Sequence, residues 1–446
     1  MTGHGCKTRL AYIGVGVVVA ASAVLGPTTT ASAVPSSDAV HYPEGSSATR
    51  ATGPGFDTCV APGLDTLRAW TASEYTTVNV YIGGVNRSCR QPHLTRSWVQ
   101  QATAIGWYLL PTYVGRQPRC VIGTTMGTFP VSGGNDAGRN DAADAVQRAG
   151  SLGLLPGSAI YADIEHYDHS DLACRGSVAD YVSGWSSTLH RNGYLAGVYV
   201  HHASGLRDVV ANYNSPHHTR PDAVWMAQWD GKASLGSWPG TPADHWARQQ
   251  RVKQYRGEHA QTWGGATLHI DSNVLDAPVA TVAREYRVTS TVPLNARTGP
   301  ATSYPVAHRH PPGTTLSVVC QGRGQTIGGT QVWNRLSSGA WVSDHYVSTP
   351  SSGGFSEDVP RCTYPGQVHS GIPLNTRSGP GTSHDLAGDP LPHGSLAWVT
   401  CQARGSDVFG SSVWNQLADG RWVSDHYVST RSSDGWSTPI PRCPGQ

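Results

Sequence analysis

The sequence has few charged residues and lacks the motifs of the common nucleotide-binding proteins. Asp, Glu, Lys and Arg make up 14% of its 446 residues, below the usual quarter, and the formal net charge is +2. This near-neutral balance argues against charge-driven disorder and against a basic nucleic-acid binder, so we expect no nucleic-acid partner. The sequence contains neither a phosphate-binding loop nor a dinucleotide fingerprint, and we predict no cofactor.

Residues 1–33 have the features of a secretory signal peptide. Lys7 and Arg9 precede an apolar run that begins at Leu10, and Ala31-Ser32-Ala33 fits a cleavage site. An uncleaved membrane anchor is the alternative, although the run is short for a span. We therefore predict a protein that is secreted, extracellular or cell-wall associated, with no membrane attachment after cleavage.

The cysteines support an exported protein. Cys6 lies in the predicted leader, and eight cysteines remain without any CxxC pair, which argues against zinc ribbons and thioredoxin-type redox sites. An even number in an exported chain favours disulfide bonds. The eight are Cys59, Cys89, Cys120, Cys174, Cys320, Cys362, Cys401 and Cys443.

The carboxyl-terminal part of the chain repeats itself with an offset of 80 to 81 residues. Val292–Pro300 matches Ile372–Pro380, and Trp341–Thr349 matches Trp422–Thr430. Short alternating runs, Gly/Pro turns and two cysteines in each copy predict a small β-barrel with one disulfide. The predicted domains are a signal peptide at 1–33, a Ser/Ala/Pro/Gly-rich linker at 34–53, a large domain at 54–286, and small domains at 287–365 and 366–446.

Both copies resemble bacterial SH3-type domains. The matching motifs are Leu-Asn-x-Arg-x-Gly-Pro-x-Thr-Ser near the start and Trp-Val-Ser-Asp-His-Tyr-Val near the end of each copy. The resemblance implies modules that hold cell-wall peptides or glycan, and a spacer without ligand is the alternative. Trp341 and Trp422 suit a ligand contact and a core position equally well.

The large domain alternates β-like runs with helical patterns. Helical spacing covers Leu94–Ile105, with Thr95 as the cap, Asp136–Leu152 and Val178–Arg191. Eight strands with intervening helices predict an α/β fold, a TIM-like (β/α)₈ barrel that is irregular over Gln228–Arg251. An open doubly wound sheet is the alternative. The eight runs are 55–57, 78–82, 108–113, 159–165, 196–200, 224–229, 252–255 and 268–273.

Four acidic residues fall at the predicted rim of the barrel. Asp163 and Glu165 are two apart on a strand, so their side chains share one face with Cα atoms about 6.7 Å apart. Asp57 ends the first strand and Asp271 sits late in the last, and these strands are neighbours in a closed barrel. Glycoside cleavage needs a protonated carboxyl together with a second, negative group. The alternative is structural, with the carboxylates capping loops or pairing with arginines.

Aromatic and amide side chains on the same rim are candidates for substrate binding. Aromatic faces suit sugar rings, although any one of them is more often a packing residue. Amide side chains suit hydroxyl or acetamido groups. The candidates are Tyr81, Tyr113, Tyr199, Trp225, Gln228, Tyr255 and Asn273.

These motifs resemble the actinobacterial glycoside-hydrolase-like domain, a family of undefined substrate. The matching segments are Gly55–Cys59, Tyr81–Gly84, Trp107–Gly115, Tyr161–Glu165 and Gly197–Tyr199. That family is similar in layout to the glycoside hydrolase family 25 lysozymes, which cut peptidoglycan between N-acetylmuramic acid and N-acetylglucosamine.

The resemblance implies a role for each acid. Glu165 would be the general acid, and Asp163 would orient an acetamido group or stabilise positive charge. Asp57 and Asp271 would position the sugar and water. The first loop, Cys59–Gly63, departs from the polar stretch of the lysozymes, which leaves room for a barrel that binds glycan without cutting it.

The cysteine and histidine positions leave further alternatives open. The four cysteines of the large domain can pair in three ways, and the neighbourhood of the strands favours Cys59–Cys89 with Cys120–Cys174. A catalytic Cys/His pair is the competing interpretation. The repeat favours Cys320–Cys362 and Cys401–Cys443, and pairing between the copies is the alternative, although it would break the equivalence of the repeat. The pairs His201-His202 and His217-His218 lack a helix-spaced partner, so we predict no metal and interpret them as loop histidines.

The leading hypothesis is a secreted hydrolase that acts on peptidoglycan or a related polysaccharide by carboxylate acid/base catalysis. Its partner is cell-wall glycan, we predict a monomer, and the two SH3-like modules would tether it to the wall. A non-catalytic wall-binding protein with a glycan-binding barrel is the rival hypothesis. A protease or amidase is a third, without a serine or zinc motif in its support.

Overall fold

The structure is a computed structural model that describes residues 47–123, 127–351, 353–430, 432 and 435–445. The predicted signal peptide and residues 34–46 of the predicted linker lie outside the described residues. Within the described ranges, no helix is long and apolar enough to cross a membrane.

In the described part of the large domain there are ten strands and five α-helices. The strands are β1 (Thr49–Asp57), β2 (Thr77–Gly83), β3 (Tyr108–Tyr113), β4 (Gln117–Pro118), β5 (Thr128–Phe129), β6 (Ala159–Ile164), β7 (Leu195–His201), β8 (Ala223–Ala227), β9 (Arg251–Trp263) and β10 (Ala266–Val279). The helices are α1 (Leu64–Trp70), α2 (Arg96–Ile105), α3 (Gly134–Leu152), α4 (Leu172–Arg191) and α5 (Gly205–Ala211), and a 3₁₀ turn covers Val131–Gly133.

Eight of these strands close into a barrel in the order β1-β10-β9-β8-β7-β6-β3-β2, which confirms the predicted TIM-like fold. The irregularity lies where it was expected, because residues 228–250 connect β8 to β9 without a helix. In addition, β9 and β10 form a hairpin, so β10 runs antiparallel to both β9 and β1. β1 begins at Thr49, before the predicted domain start, because its first residues pair with the end of β10.

Local sequence signals fix the helices around the barrel. The Thr95 side chain accepts a hydrogen bond from the Trp98 N–H at 3.1 Å, which confirms Thr95 as the cap of α2. α3 and α4 approach closely at Gly138, where a Cβ atom would lie 2.1 Å from the Tyr181 carbonyl oxygen. The small side chains of α3, such as Ala142 and Ala145, are fully buried.

Two small all-β units follow the barrel, as the fold prediction requires. The first is a six-stranded sheet of β11 (Arg284–Arg287), β12 (Leu294–Arg297), β13 (Val306–His310), β14 (Thr315–Ile327), β15 (Thr330–Leu336) and β16 (Trp341–Ser343). The second is a four-stranded sheet of β17 (Tyr364–Gln367), β18 (Leu396–Val408), β19 (Ser411–Leu417) and β20 (Trp422–Ser424). A 3₁₀ turn follows β16 at Asp344–Tyr346 and β20 at Asp425–Tyr427.

The second small unit covers the amino end of the barrel strands. Leu396 and Trp398 of β18 are buried in one cluster with barrel residues such as Ala159, Leu195 and Ala223, which begin or nearly begin their strands. The Arg220 guanidinium donates to the Gly394 carbonyl oxygen at 2.6 Å across this contact. The barrel is thereby closed at one end, and access to its interior is left at the carboxyl ends of the parallel strands.

Four disulfides link the eight predicted cysteines. In the barrel domain they join Cys59 to Cys89 and Cys120 to Cys174. In the small units they join Cys320 to Cys362 and Cys401 to Cys443. Disulfides are consistent with an extracellular protein.

Candidate active site

The structure brings the four predicted acids to the open end of the barrel. Asp57 is the last residue of β1 and pairs in register with Asp271 of β10. Asp163 is the fifth residue of β6, and Glu165 follows that strand directly. Asp271 lies in the first half of its strand, not late as expected, and the antiparallel direction of β10 brings this half to the open end.

Asp57 is buried among amide donors. Its side chain is 4% exposed. Gln254 Nε2 donates to both oxygens of its carboxyl at 3.2 and 3.1 Å, and Asn273 Nδ2 donates to Oδ2 at 2.6 Å. Burial first, and then the charge of Asp271, raise the pKa of Asp57 well above its usual range, against the opposing effect of the amide donors. This carboxyl therefore holds a proton to a higher pH than a free aspartate.

Asp271 shares the same amide donor. Gln254 Nε2 lies 3.0 Å from Asp271 Oδ2, so one side chain links the carboxyls of the opposed pair. Burial raises the pKa of Asp271. The two carboxyls and one amide form a compact polar group at the junction of the first and last strands.

Asp163 and Glu165 form the second acidic pair. Asp163 is 7% exposed and accepts no hydrogen bond at its carboxyl from the residues that the structure describes, with Oδ1 fully buried. Burial, followed by the charges of Glu165 and Asp57, raises its pKa well above the usual range. Glu165 is exposed at the rim, and the surrounding protein raises its pKa through partial desolvation. The buried Asp163 therefore lies beneath the accessible Glu165.

A buried glutamine fixes the backbone of this pair. Gln117 Nε2 donates to the Asp163 carbonyl oxygen at 2.7 Å, and Gln117 Oε1 accepts the Glu165 N–H at 2.9 Å. These two bonds replace strand pairing at the point where β6 ends. They hold Glu165 at the rim without engaging its carboxyl.

The hydroxyl of Tyr199 lies among all four acids. It donates to Gln254 Oε1 at 3.1 Å. Burial raises the pKa of Tyr199 well above its usual range, and the charges of Asp163, Glu165, Asp57 and Asp271 raise it further. Asp163 pairs with Tyr199 in the strand register, and Gln254 links Tyr199 to Asp57 and Asp271, so the two acidic pairs lie on either side of this residue. Tyr81 of β2 is half-buried. Its pKa is raised by burial and then by Asp57, Asp163, Tyr199 and Asp271.

Three of the predicted binding residues do not reach the open cavity. Tyr113 faces the helices, where its hydroxyl donates to Asp144 Oδ2 at 2.8 Å. Trp225 is 1% exposed and forms the floor beneath Tyr199, with its ring edge-on at 5.0 Å. Tyr255 points away from the acids, because the preceding residue Gln254 faces them and strand side chains alternate.

Two further predicted residues have mixed positions. Asn273 is 2% exposed and lies between Trp225 Nε1, from which it accepts at 2.9 Å, and Asp57, to which it donates. Its polar atoms are engaged within the protein, so it orients Asp57. Gln228 is half-buried at the rim, and its N–H donates to the Gln254 carbonyl oxygen at 3.0 Å.

Three residues that the sequence did not single out complete the site. Gln254 links both carboxyls of the opposed pair and Tyr199, and Gln117 holds the Asp163–Glu165 backbone. Trp229 is 67% exposed, and its Nε1 donates to Gln254 Oε1 at 2.9 Å. Strict alternation along 252–255 would have favoured Gln254 over Tyr255. Gln117 lies in the short strand β4, and no sequence pattern marked it as a residue of the site.

The histidine pairs occupy different places. His201 and His202 lie at the end of β7, whereas His218 Nε2 contacts Asp180 of α4 at 3.2 Å on the flank of the barrel. Among the described residues, no group of three or more His, Cys, Asp or Glu side chains is arranged to hold a metal ion.

A family model and a curated relative match segments of this chain. Residues 68–275 match the model of the Rv2525c-like, glycoside hydrolase-like domain. The matched residues include Asp163, Glu165 and Asp271, whereas Asp57 precedes them. A segment is also 37% identical over 92 residues to YraI of Bacillus subtilis (strain 168), an uncharacterized protein, covering 18% of this chain and 74% of YraI. Through that segment the chain belongs to the family of YraI.

Two solved structures are similar at low identity. The Tat-secreted protein Rv2525c of Mycobacterium tuberculosis, in complex with L-tartrate, is 16% identical, with 50% of this chain and 96% of that chain covered and a TM-score of 0.37. The muramidase from Acremonium alcalophilum is 14% identical, with 49% and 91% covered and a TM-score of 0.31.

Proposed function

We propose that the protein is a secreted glycoside hydrolase that cleaves peptidoglycan or a related cell-wall polysaccharide. The observation that carries the proposal is the gathering of the two acidic pairs near Tyr199, at the open end of a barrel whose other end is covered. The match of residues 68–275 to a glycoside hydrolase-like model supports the same reaction class.

Glu165 is the proton donor in this proposal. It is the exposed member of its pair, so a glycosidic oxygen can approach it, and its raised pKa keeps the carboxyl protonated to a higher pH than usual. Proton donation to the leaving oxygen is the first requirement of glycoside cleavage. The bonds from Gln117 to the backbone hold this carboxyl in place while leaving it free to react.

Asp163 supplies the interaction with the sugar. Its carboxyl lacks a donor among the described residues, so a substrate acetamido N–H or a developing positive charge would provide the missing partner. Asp57 and Asp271, oriented by Gln254 and Asn273, position the ring and the water. A sugar hydroxyl or water that enters this group meets both acceptors and donors.

The two small units serve as wall-binding modules of SH3-like type in this proposal. The duplicated motifs and the strand pattern that the two units share support this role, because two linked modules raise the local concentration of the barrel at an insoluble polymer. The four disulfides suit a protein that works outside the cell.

A Glu165→Gln substitution in the full mature chain tests the proposal. We expect the unmodified protein to release reducing ends from purified peptidoglycan, and E165Q to lose at least about 100-fold in rate while it still sediments with the insoluble wall. Glu74→Gln, at an exposed position before β2, is the matched control and should keep full activity.

The same assay separates the rival function. If the unmodified protein sediments with the wall but releases no reducing ends from peptidoglycan or other wall glycans, the barrel is a binding domain. If E165Q cleaves as fast as E74Q, Glu165 is not the acid.

A further inference from the structure

Three histidines with tilted rings form a contiguous row beside the acidic pair, called the histidine stack below. The ring centroids of His166 and His201 are 4.1 Å apart, and those of His201 and His202 are 4.4 Å apart. All three residues are half-buried. None of them has a part in the acid/base chemistry proposed above, which raises the question of what this stack contributes.

The strand register places the stack at the level of Glu165. Asp163 pairs with Tyr199 and Ile164 with Val200, so the next position on each strand is Glu165 and His201. His201 shares the face of Tyr199, two residues earlier on β7. His166 follows Glu165 directly. A ligand that reaches the Glu165 carboxyl from the β7 side therefore passes over the imidazoles.

The hydrogen bonds at the Nδ1 atoms define what the stack presents. The Ala203 N–H donates to His201 Nδ1 at 3.2 Å, so the hydrogen of a neutral His201 ring is on Nε2. His202 Nδ1 donates to the Ala227 carbonyl oxygen at 3.2 Å, so Nε2 of a neutral His202 ring is an acceptor. Burial, with His166 and His202 nearby, lowers the pKa of His201 to about 4, which keeps this ring neutral near pH 7.

Among the described residues, none contacts the three Nε2 atoms by a hydrogen bond. His166 Nδ1 contacts Ser204 Oγ at 2.9 Å, which leaves its Nε2 free as in the other two rings. In the part of the chain that the structure describes, no Nε2 atom of the stack has a hydrogen-bond partner, and none is sealed from solvent. The stack thus offers at least one donor, on His201, and one acceptor, on His202. Sugar hydroxyls require both kinds of partner.

We propose that His166, His201 and His202 form a subsite that binds one sugar ring of the glycan next to the bond presented to Glu165. This inference rests on the proposed function and names the residues that select its substrate. The imidazoles bind the hydroxyl or acetamido groups of this sugar ring. They position the ring and take no part in proton transfer.

Binding measured in the E165Q background tests the subsite without turnover. The probe is the soluble tetrasaccharide of alternating N-acetylglucosamine and N-acetylmuramic acid, titrated calorimetrically into the full mature chain. We expect His201→Phe, which keeps the ring packing but loses the Nε2 donor, to weaken binding by about 3- to 10-fold, the value of one or two hydrogen bonds. His201→Ala should weaken it at least as much.

Matched controls separate the possible outcomes. His217→Phe, an exposed histidine on the flank, should bind as E165Q does, and the melting temperatures of both Phe variants should match the parent. If E165Q binds the tetrasaccharide and H201F binds equally well, the subsite is refuted while the proposed function stands. If E165Q itself does not bind, the proposed substrate is wrong and the subsite falls with it.

Discussion

Asp57 and Asp271 occupy directly opposed positions on β1 and β10, and the side-chain nitrogen of Gln254 donates to both carboxyls at 3.0 to 3.2 Å. Two acids at this distance from one amide cannot both be ionised without strong repulsion. Gln254 therefore connects the pairing of β1 with β10, which closes the barrel, to the candidate active site. On its other atom, Oε1, it accepts from Tyr199 and Trp229.

Replacing Gln254 by Leu should destabilise the protein. The substitution removes a donor from the buried Asp57 and the acceptor of Tyr199 and Trp229, and a buried polar group that loses its partner costs about 1–3 kcal/mol. Urea unfolding at pH 7 measures the loss. Gln101→Leu, on the exposed face of α2, is the control, and equal stabilities of Q254L and Q101L would contradict the proposed role.

Asp163→Asn should stabilise the protein at neutral pH although it damages the site. The pKa of Asp163 is raised in the folded state, so from about pH 4 upward the unfolded chain releases this proton more readily than the folded one. Stability of the unmodified protein therefore falls as pH rises through this region, by about 1.4 kcal/mol for each unit of displacement. The Asn variant lacks this dependence.

Melting temperatures measured from pH 4 to pH 8 test this expectation. The advantage of D163N over the unmodified protein should grow with pH and vanish near pH 4. Asp65→Asn, at an exposed position of α1, removes one negative charge without burial and serves as the reference. A constant difference between D163N and the unmodified protein across the range would show that Asp163 ionises freely.

The sequence predicted the barrel and the gathering of acids better than the details of the site. Apolar runs and their spacing identify eight strands, and closure makes the first and last of them neighbours. The antiparallel direction of β10 depends on its hairpin with β9. The outward orientation of Tyr113 and Tyr255 depends on which face of each strand points into the barrel. Gln117 acts through the backbone after β6, and no local pattern marks such a contact.

The second small unit contains a carboxyl with its own pH dependence. Gln402, Asn415 and Thr430 all donate to Asp425 Oδ1, at 3.0, 2.8 and 2.7 Å. Oδ2 is buried without a partner among the residues described. Burial raises the pKa of Asp425 to about 6 from an ordinary 3.8, against these donors. The unit should lose about 3 kcal/mol as pH rises from about 4 to 6, because the folded state holds the proton longer.

Asp425→Asn should abolish this loss. Hydrogen exchange of the β19 amides measures the local stability, and D425N should gain relative to the unmodified protein between pH 4.5 and pH 7.5. Asp344, in the matching network of the first unit, also has a raised pKa, so Asp344→Asn should shift exchange in β15 in the same direction. Exchange in β19 that follows the same pH dependence in D425N and the unmodified protein would refute the assignment.

A glycine beneath the site makes room for a buried tyrosine. A Cβ atom at Gly197 would lie 2.2 Å from the ring of Tyr161, which packs inside the barrel edge-on to Trp225. Gly197→Ala should therefore cost about 1–3 kcal/mol through overpacking. Gly150→Ala, in α3 with nothing within 4 Å of its Cβ, should instead stabilise by about 0.5–1 kcal/mol, and calorimetric unfolding of both variants gives the comparison.

Trp229 is an exposed aromatic residue that is linked to the opposed acids through its bond to Gln254. Its ring covers Gly257, where a Cβ atom would lie 2.8 Å from the indole. A ring that is 67% exposed yet held in place on two sides is suited to stack on a sugar, because little side-chain entropy is lost on binding.

Trp229→Ala should weaken tetrasaccharide binding in the E165Q background by about 10-fold, equivalent to about 1.4 kcal/mol. Trp229→Phe keeps an aromatic ring but loses the Nε1 donor, so its affinity for the tetrasaccharide should lie between those of the E165Q parent and W229A. Leu172→Ala, an exposed apolar residue at the start of α4, should bind as the parent does. Equal affinities for W229A and L172A would mean that the sugar chain leaves the acids by another side of the rim, over the histidine stack alone.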